Sequence, residues 1–270
     1  MNCGARHSGR LIDQSQNIRI FSDESGLPTK TERAQMSGFR KVKTNDELKK
    51  KAANGEKRSI IEMYRGKGID VTSDSQISSK TIKQVKKATK KVTSDFKALE
   101  SYSEPIVFGD VDGGLANNDY DPKTGLNIIT LRKADFASPN SLLKKLNADY
   151  VSGFSYETDT IQSLVAHEMG HNAHIALALK RAHLPYGVPL TLEQETQFRN
   201  KLLEIREEVY DYVFGDLDTE SILDEIINEL GESAIYRNEL IAQSFGCHYY
   251  GKKKSLIADK VIKYFKKELK

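Results

Sequence analysis

The stretch "LVAHEMGHNAH", residues 164–174, holds His167, His171 and His174 in a chain that has only six histidines. On a helix, residues four apart lie about 40° apart around the axis and about 6 Å along it, so His167 and His171 can both reach one ion. Glu168 is rotated by about 100° from His167, which lets its carboxylate contact a water beside that ion. The HExxH spacing therefore requires a helix here and predicts two zinc ligands, His167 and His171, with Glu168 as general base.

The residues around the motif favour a helix buried in a core. Apolar residues precede the motif, and Asp159 followed by Gln162 is a capping-box arrangement that predicts a helix start after Asp159. Gly170 leaves a spot without a side chain where another backbone can approach, although glycine costs about 1 kcal/mol in a helix interior. The alternative is a chance HExxH pattern on an ordinary helix.

His174 does not complete the predicted site. It lies about 10 Å further along the helix axis than His167, so an unbroken helix cannot bring all three histidines to one ion. The longer zinc motif HExxHxxGxxH would need Gly at 174 and His at 177, where this chain has His174 and Leu177. We expect His174 to line the cleft or to orient a ligand.

The third ligand is predicted to be Glu239, in the segment "YRNELIAQSFGCHYYG". If residues 237–247 are helical, Glu239, Ala242, Gln243 and Gly246 share one face, and its small residues allow close packing against the motif helix. Glu239 could instead be a solvated surface residue. In that case the third ligand could come from another carboxylate nearby, of which the candidates are Glu225, Glu229 and Glu232.

The chemistry that these residues indicate is hydrolysis of a peptide bond. Zinc lowers the pKa of bound water from about 15.7 to about 7, and a carboxylate such as Glu168 can take the proton as the water attacks a carbonyl. Tyr236, one turn before Glu239, is a candidate hydrogen-bond donor to the oxyanion, the alternative being a tyrosine of the core.

The rest of the chain predicts a mixed architecture. Residues 1–58 are polar and poorly periodic, which favours an extension or docking segment, and residues 59–270 are expected to form the main domain. Apolar residues spaced by three or four predict helices over residues 78–101, 191–214, 219–233 and from Leu256, and "SPNSLLKKLNA" predicts one capped at Ser138. "PIVFGDV" predicts a buried strand. Two extended runs around "DPKTG" predict a hairpin, in which "NIITL" or "GGLANN" could align an extended peptide beside the zinc cleft.

Composition excludes several classes of protein. The formal net charge of +3 is too small to argue for a nucleic-acid partner, and the lysine-rich face of residues 80–91 lacks interleaved aromatic residues, so nucleic-acid binding is not expected. Cys3 and Cys247 form no CxxC pair, so a disulfide framework and a cysteine zinc site are not expected. We see no signal peptide and no apolar stretch long enough for a membrane span, which predicts a cytoplasmic protein without a membrane partner.

Three segments together resemble the zincin-like metallopeptidase domains of phage and prophage minor head proteins, over about residues 100–250. They are "DYDPKTGLNIITL", "VAHEMGHNAH" and "SAIYRNELIAQSFGCHYYG". The resemblance implies an α+β, gluzincin-like fold with a small mixed or antiparallel sheet packed on the HExxH helix and a helical C-terminal part. It also implies Zn²⁺ held by His167, His171 and Glu239, with Glu168 as base, although that group commonly has a second acid at the position of Gln243.

The resulting functional prediction is a zinc-dependent endopeptidase of phage or prophage origin, acting on a protein or peptide substrate. Phage head or portal proteins are candidate partners, in the cytoplasm of the bacterial host or in the virion. One alternative is a head or virion structural protein that keeps the zincin fold without turnover, and another is a cytoplasmic peptidase that cleaves a repressor. The intact Glu168 favours a peptidase, because a purely structural zinc site has no need of a base.

Overall fold

The computed structural model describes residues 70–111, 113–215 and 217–270, which lie within one unit that begins at residue 61. The predicted extension, residues 1–58, lies outside the described residues. The described elements, in chain order, are α1 (Ser79–Asp95), a 3₁₀ helix (Lys97–Ser101), β1 (Val107–Gly109), β2 (Ala116–Asp121), β3 (Leu126–Arg132), α2 (Lys133–Ala137), α3 (Pro139–Val151), α4 (Gln162–Arg181), α5 (Leu192–Phe214), α6 (Thr219–Leu230), a second 3₁₀ helix (Glu232–Ile235), α7 (Arg237–Tyr250) and α8 (Leu256–Glu268).

The predicted mixed class is confirmed at a coarse level: the described chain is mostly helical, with one small mixed sheet. The strand order is β1-β3-β2, where β1 pairs parallel to β3 and β2 pairs antiparallel to it. The register of the predicted hairpin runs from Ala116 opposite Leu131 to Asp121 opposite Leu126. All of the "NIITL" segment pairs with β2, and its last two residues also pair with β1, so β3 is the central strand and not a free edge that could receive a peptide.

Helix α4 is the centre of the core. Most of its side chains are buried, whereas Leu164, His167 and His171 form a partly exposed stripe along its first turns. The helix begins later than the sequence predicts, with Ile161 as N-cap and no side-chain cap. Thr160 takes the place expected for Asp159, because its hydroxyl accepts from the amide of Gln162 at 3.3 Å.

Helix α7 packs along α4, and aromatic rings join the pair to the neighbouring helices. The ring of Phe245 lies 5.2 Å from that of Phe96 and 5.6 Å from that of Phe265, measured between centroids. All three rings are essentially inaccessible to solvent. These contacts join the end of α1 and helix α8 to α7, and they bury large side chains of the kind that dominate core energetics.

Helices form in each segment that the sequence patterns predict, but two of them are shorter than predicted. The helix predicted over residues 78–101 ends at Asp95, the one predicted over 219–233 ends at Leu230, and a 3₁₀ helix follows each. Thr191 and Gln194 form a capping box at the start of α5, and Asp218 caps α6. Ser138 is the N-cap of α3 with Pro139 in the first turn, but the serine side chain makes no capping hydrogen bond. None of the described helices combines the length and apolar character that a membrane crossing requires.

Candidate metal centre

The structure brings together the side chains of His167, His171 and Glu239. Their candidate ligand atoms all lie within 4.8 Å of one another. Nε2 of His167 is 3.4 Å from Oε2 of Glu239, and Nε2 of His171 is 3.6 Å from Oε1. Helix α4 presents the two imidazoles one turn apart, and the first turn of α7 presents the carboxylate.

These donor atoms fit a zinc ion. Zinc binds histidine nitrogen and carboxylate oxygen at about 2.0–2.2 Å, so two ligands of a tetrahedral ion lie about 3.4 Å apart. The two nitrogen-to-oxygen distances match that separation. Three protein ligands of this kind leave a fourth position for water or substrate, which is the composition of a catalytic rather than a closed structural zinc site.

The cluster opens to solvent on one side. The side chains of His167, His171 and Glu239 are 15%, 21% and 29% exposed, whereas their neighbours on α4 are mostly buried. The two imidazole rings are nearly perpendicular, with centroids 5.0 Å apart. The partly exposed stripe of α4 therefore places both candidate ligand atoms where an ion can reach them.

The two imidazoles differ in their electrostatics. Burial lowers the pKa of His171 to about 4, and the charges of His167 and Arg206 act in the same direction, against Glu239. Burial also opposes the charged form of His167, but its hydrogen bond with Glu239 and the charges of Glu239 and Glu168 raise its pKa above the usual value. His171 is thus neutral and ready to bind a metal at neutral pH, and His167 must release any proton that it carries.

The carboxylate of Glu239 is stabilised in its charged form. Burial alone would raise its pKa, yet the two histidines and Arg206 together lower it to about 2. The side-chain amide of Asn238 also donates to Oε1 at 2.9 Å. A charged oxygen facing two imidazoles is the donor set that zinc prefers.

Glu168 lies beside the cluster with only 4% of its surface exposed. Burial raises the pKa of its carboxyl to about 7, with Glu239 adding to the effect and His167 opposing it. A general base works best when its pKa lies near the working pH. Its backbone carbonyl accepts from Nδ2 of Asn118 at 2.8 Å, so strand β2 holds the motif helix at this residue.

Gln243 orients His167 from one turn further along α7. The oxygen of its side-chain amide accepts from the imidazole, which favours the protonated ring and raises the pKa of His167. The amide of Gln243 is itself held on both sides, since its Nε2 donates to Ser233 at 2.6 Å and its Oε1 accepts from Ser155 at 3.4 Å. A neutral amide oxygen thus occupies the position where the family resemblance leads one to expect an acid.

No family model, curated protein or solved structure matches the chain. What this site can do therefore follows from its own residues.

His174 is not part of the cluster, in keeping with its spacing along the helix. It is buried, and burial lowers its pKa to about 3, so the ring is neutral. Its Nε2 lies 2.9 Å from the carbonyl oxygen of Leu202, to which it donates. Its observed contact fastens α5 to α4, instead of orienting a ligand.

The other predicted candidates lie apart from the three clustered groups. Glu229 accepts from the hydroxyl of Ser255 at 2.5 Å and from the amide of Ile257 at 3.1 Å, so it caps α8. Glu225 and Glu232 are exposed, and neither belongs to a cluster of metal-binding groups in the described chain. Tyr236 is the N-cap of α7 and is 65% exposed. Its function as an oxyanion donor stays a prediction.

Two residues at the site were not identified from the sequence. Asn118 belongs to β2, and its Oδ1 is buried without a partner. Arg206 belongs to α5, and its charge acts on His171, His174 and Glu239. A signal for Arg206 exists in the sequence, because it falls within the apolar stripe formed by Leu202, Ile205 and Val209.

Proposed function

We propose that this chain is a zinc-dependent endopeptidase with a zincin-like fold, in which His167, His171 and Glu239 hold the metal. The observation that carries the proposal is the convergence of both carboxylate oxygens of Glu239 on the Nε2 atoms of the two histidines, within 3.6 Å. The buried carboxyl of Glu168 beside them supports a catalytic site, because a structural zinc site does not require a base.

The chemistry follows from the positions of these groups. A zinc ion held there supplies Lewis acidity, which polarises a carbonyl and lowers the pKa of water to about 7. The carboxylate of Glu168 accepts the proton of the water that attacks the scissile carbonyl. It then delivers this proton to the nitrogen of the scissile bond as the carbon–nitrogen bond breaks. Gln243 keeps His167 in the orientation that the metal requires.

Strand β2 supplies a place for the substrate backbone. Among the described residues, β2 pairs only with β3, so its other edge is free to receive an extended peptide by strand addition. The same strand contacts α4, with Asn118 bonded to the carbonyl of Glu168. A peptide aligned on β2 would thereby run beside the motif helix. This assigns the alignment to the "GGLANN" segment, whose last three residues begin β2.

The proposed setting is a phage or prophage peptidase that acts on a protein in the bacterial cytoplasm or in the virion. Support for this setting comes from the resemblance of "VAHEMGHNAH" and "SAIYRNELIAQSFGCHYYG" to minor head protein domains. A head or portal protein is the proposed substrate or partner. The helical C-terminal part and the small mixed sheet are consistent with the zincin-like architecture that the resemblance implies.

Metal content and peptide cleavage test the proposed function together. We expect wild-type protein to retain one zinc per chain and to cleave a mixture of unstructured peptides, with the products read by mass spectrometry. Glu168→Gln keeps zinc and loses activity by about 10²- to 10⁴-fold, the usual contribution of a general base. Glu225→Gln, an exposed glutamate on α6, is the matched control and should behave as wild type.

Two outcomes contradict the proposal. Wild-type protein that takes up no zinc would remove the metal site. Protein that binds zinc but cleaves none of the peptides, and shows no difference from Glu168→Gln, would favour the structural virion protein.

A further inference from the structure

Arg206 is a cation of α5 that has no hydrogen-bond or ion-pair partner among the described residues. Its side chain is partly buried, and its Nε is fully buried with no hydrogen-bond partner. Within the described part of the chain its guanidinium forms no hydrogen bond or ion pair. A buried N–H donor is normally paired, because leaving it without an acceptor costs about 1–3 kcal/mol.

The contacts of α5 show where this guanidinium lies. One turn before Arg206, the carbonyl of Leu202 accepts from His174 of α4 at 2.9 Å. Glu207, which directly follows Arg206, forms an ion pair with Arg237 of α7. The guanidinium of Arg237 also lies 4.3 Å from the ring centroid of Tyr210 on α5. Arg237 is two residues before Glu239. Helix α5 therefore crosses both helices that carry the cluster, and Arg206 falls between the two crossing contacts.

The charge of Arg206 acts on the groups of the cluster. It attracts the carboxylate of Glu239, and it lies near enough to act on His171 and His174 as well. Among the described residues, Glu239 is the anion whose charge acts on Arg206 in turn. If Glu239 held a divalent cation, its single charge would neutralise only half of that ion, and the ion's repulsion of Arg206 would offset the attraction that Glu239 supplies. The centre then has an excess of positive charge that an anionic oxygen can balance.

A resident cation of this kind does not help to hold the metal. Its positive charge repels a metal ion, so the residue works against retention of zinc unless it has another use. The planar fork of a guanidinium matches an anionic pair of oxygens better than any other side chain does. Tyr236, the donor expected from the sequence, is 65% exposed at the start of α7.

We propose that Arg206 binds an anionic oxygen of the substrate beside the metal centre. This inference rests on the proposed function, because it places the substrate at the zinc site. The oxygen belongs either to the oxyanion that develops from the scissile carbonyl or to a carboxylate of the substrate next to the scissile bond. Both present the same negatively charged oxygen to the guanidinium.

The test uses an N-phosphoryl dipeptide, a tetrahedral anion, as the probe for zinc-loaded protein. Arg206→Met should raise the dissociation constant about 10- to 100-fold, the usual loss for a charge-assisted hydrogen bond. Arg206→Lys, which keeps the charge but not the fork, should give an intermediate value. Arg199→Met removes an exposed arginine of the same helix, paired with Glu195, and should leave the constant unchanged.

Zinc content separates substrate binding from a structural contribution of Arg206. All three variants should keep zinc as tightly as wild type, and Arg206→Met should bind it at least as tightly, because a repelling charge is gone. A variant that loses the probe together with zinc would overturn the inference, and so would equal probe affinity in wild type and Arg206→Met. Absence of measurable binding to wild type would also overturn it.

Cleavage assays distinguish this inference from the proposed function and identify the source of the oxygen. Arg206-dependent probe binding without peptide cleavage keeps the inference and contradicts the peptidase. Peptide cleavage with equal kcat/KM in wild type and Arg206→Met supports the peptidase and contradicts the inference about Arg206. If Arg206→Met lowers kcat for all peptides alike, the oxygen is the oxyanion. If it raises KM only for peptides with an acidic residue beside the cleaved bond, the oxygen is a carboxylate.

Discussion

Gly170 of α4 lies directly against the backbone of Ala242 in α7. A Cβ atom at Gly170 would come within 2.8 Å of the Cα of Ala242 and within 3.0 Å of the Cβ of Phe245. This contact lies close to the candidate metal ligands on both helices. His171 directly follows Gly170 on α4, and Glu239 lies three residues before Ala242 on α7. The absence of one side chain thus sets the distance at which the carboxylate of α7 meets the imidazoles of α4.

Gly170→Ala should destabilise the protein and weaken zinc retention. Alanine favours a helix over glycine by about 1 kcal/mol, but overpacking of a core costs about 1–3 kcal/mol. We therefore expect a net loss in the free energy of unfolding, measured in urea with and without chelator. Asn200→Ala, at an exposed position of α5, is the control in which only helix propensity changes. A Gly170→Ala protein as stable as wild type would show that separating the two helices costs no more than the roughly 1 kcal/mol that alanine gains in helix propensity.

Glu239→Gln should release zinc. The amide keeps the shape of the side chain but loses the charge that faces His167 and His171. Because it removes a ligand, the loss in affinity should exceed the roughly 10- to 100-fold typical of changes to groups that only orient a ligand. Zinc per chain after dialysis against a competing chelator measures the effect. Glu232→Gln, an exposed glutamate near the start of the same helix, should retain zinc, and equal retention in both variants would disprove the assignment.

Gln243→Leu should weaken zinc binding without abolishing it. The substitution removes the acceptor that orients His167, and such changes typically cost about 10- to 100-fold in metal affinity. It also leaves the hydroxyl of Ser233 without the bond that it receives at 2.6 Å. Gln243→Glu keeps an acceptor oxygen and should restore most of the affinity. Failure of this second variant to differ from Gln243→Leu would mean that packing, not the hydrogen bond, is what matters.

Acid should erase the stabilising effect of Arg181, which joins the end of α4 to α5 and α8. The guanidinium donates to Glu208 at 2.8 Å and to Glu268 at 2.9 Å. Burial alone would raise the pKa of Glu208, but hydrogen bonds from Tyr264 and Arg181 hold it below the usual value. A carboxyl with a depressed folded-state pKa contributes stability above its unfolded-state pKa and loses it as the pH falls through the folded-state value.

Arg181→Met should therefore be less stable than wild type at pH 7, and the difference should shrink as the pH falls below about 4, the range of unperturbed carboxyl groups. The free energy of unfolding at several pH values provides the measurement. Arg199→Met breaks only an exposed i,i+4 pair with Glu195, worth about 0.3–0.5 kcal/mol. A difference between Arg181→Met and wild type that stays constant with pH would rule out the carboxylate as its source.

Much of the fold could be predicted from local sequence patterns. The helix over residues 191–214 and the hairpin around the turn "DPKTG" form as the sequence predicts. The helix predicted over residues 78–101 also forms, but it ends at Asp95. The start of α4 was predicted wrongly, because the competing hydroxyl of Thr160 lies one residue after Asp159 and captures the amide of Gln162. The assignment of "NIITL" as a peptide-binding edge was also wrong, since β1 occupies the free side of β3.

The amino-acid sequence by itself determined the spacing of His167, Glu168 and His171, because four residues make about one helical turn wherever the helix lies. Only the tertiary structure decided which carboxylate lies beside the two histidines, since the sequence alone does not distinguish between the candidates Glu225, Glu229, Glu232 and Glu239. The packing of α7 on Gly170 selects Glu239. The same is true of Arg206. Its charge follows from the residue type, but its position relative to the cluster depends on how α5 crosses α4 and α7. Burial and long-range contacts, which set the electrostatics of the site, arise only when distant segments pack together.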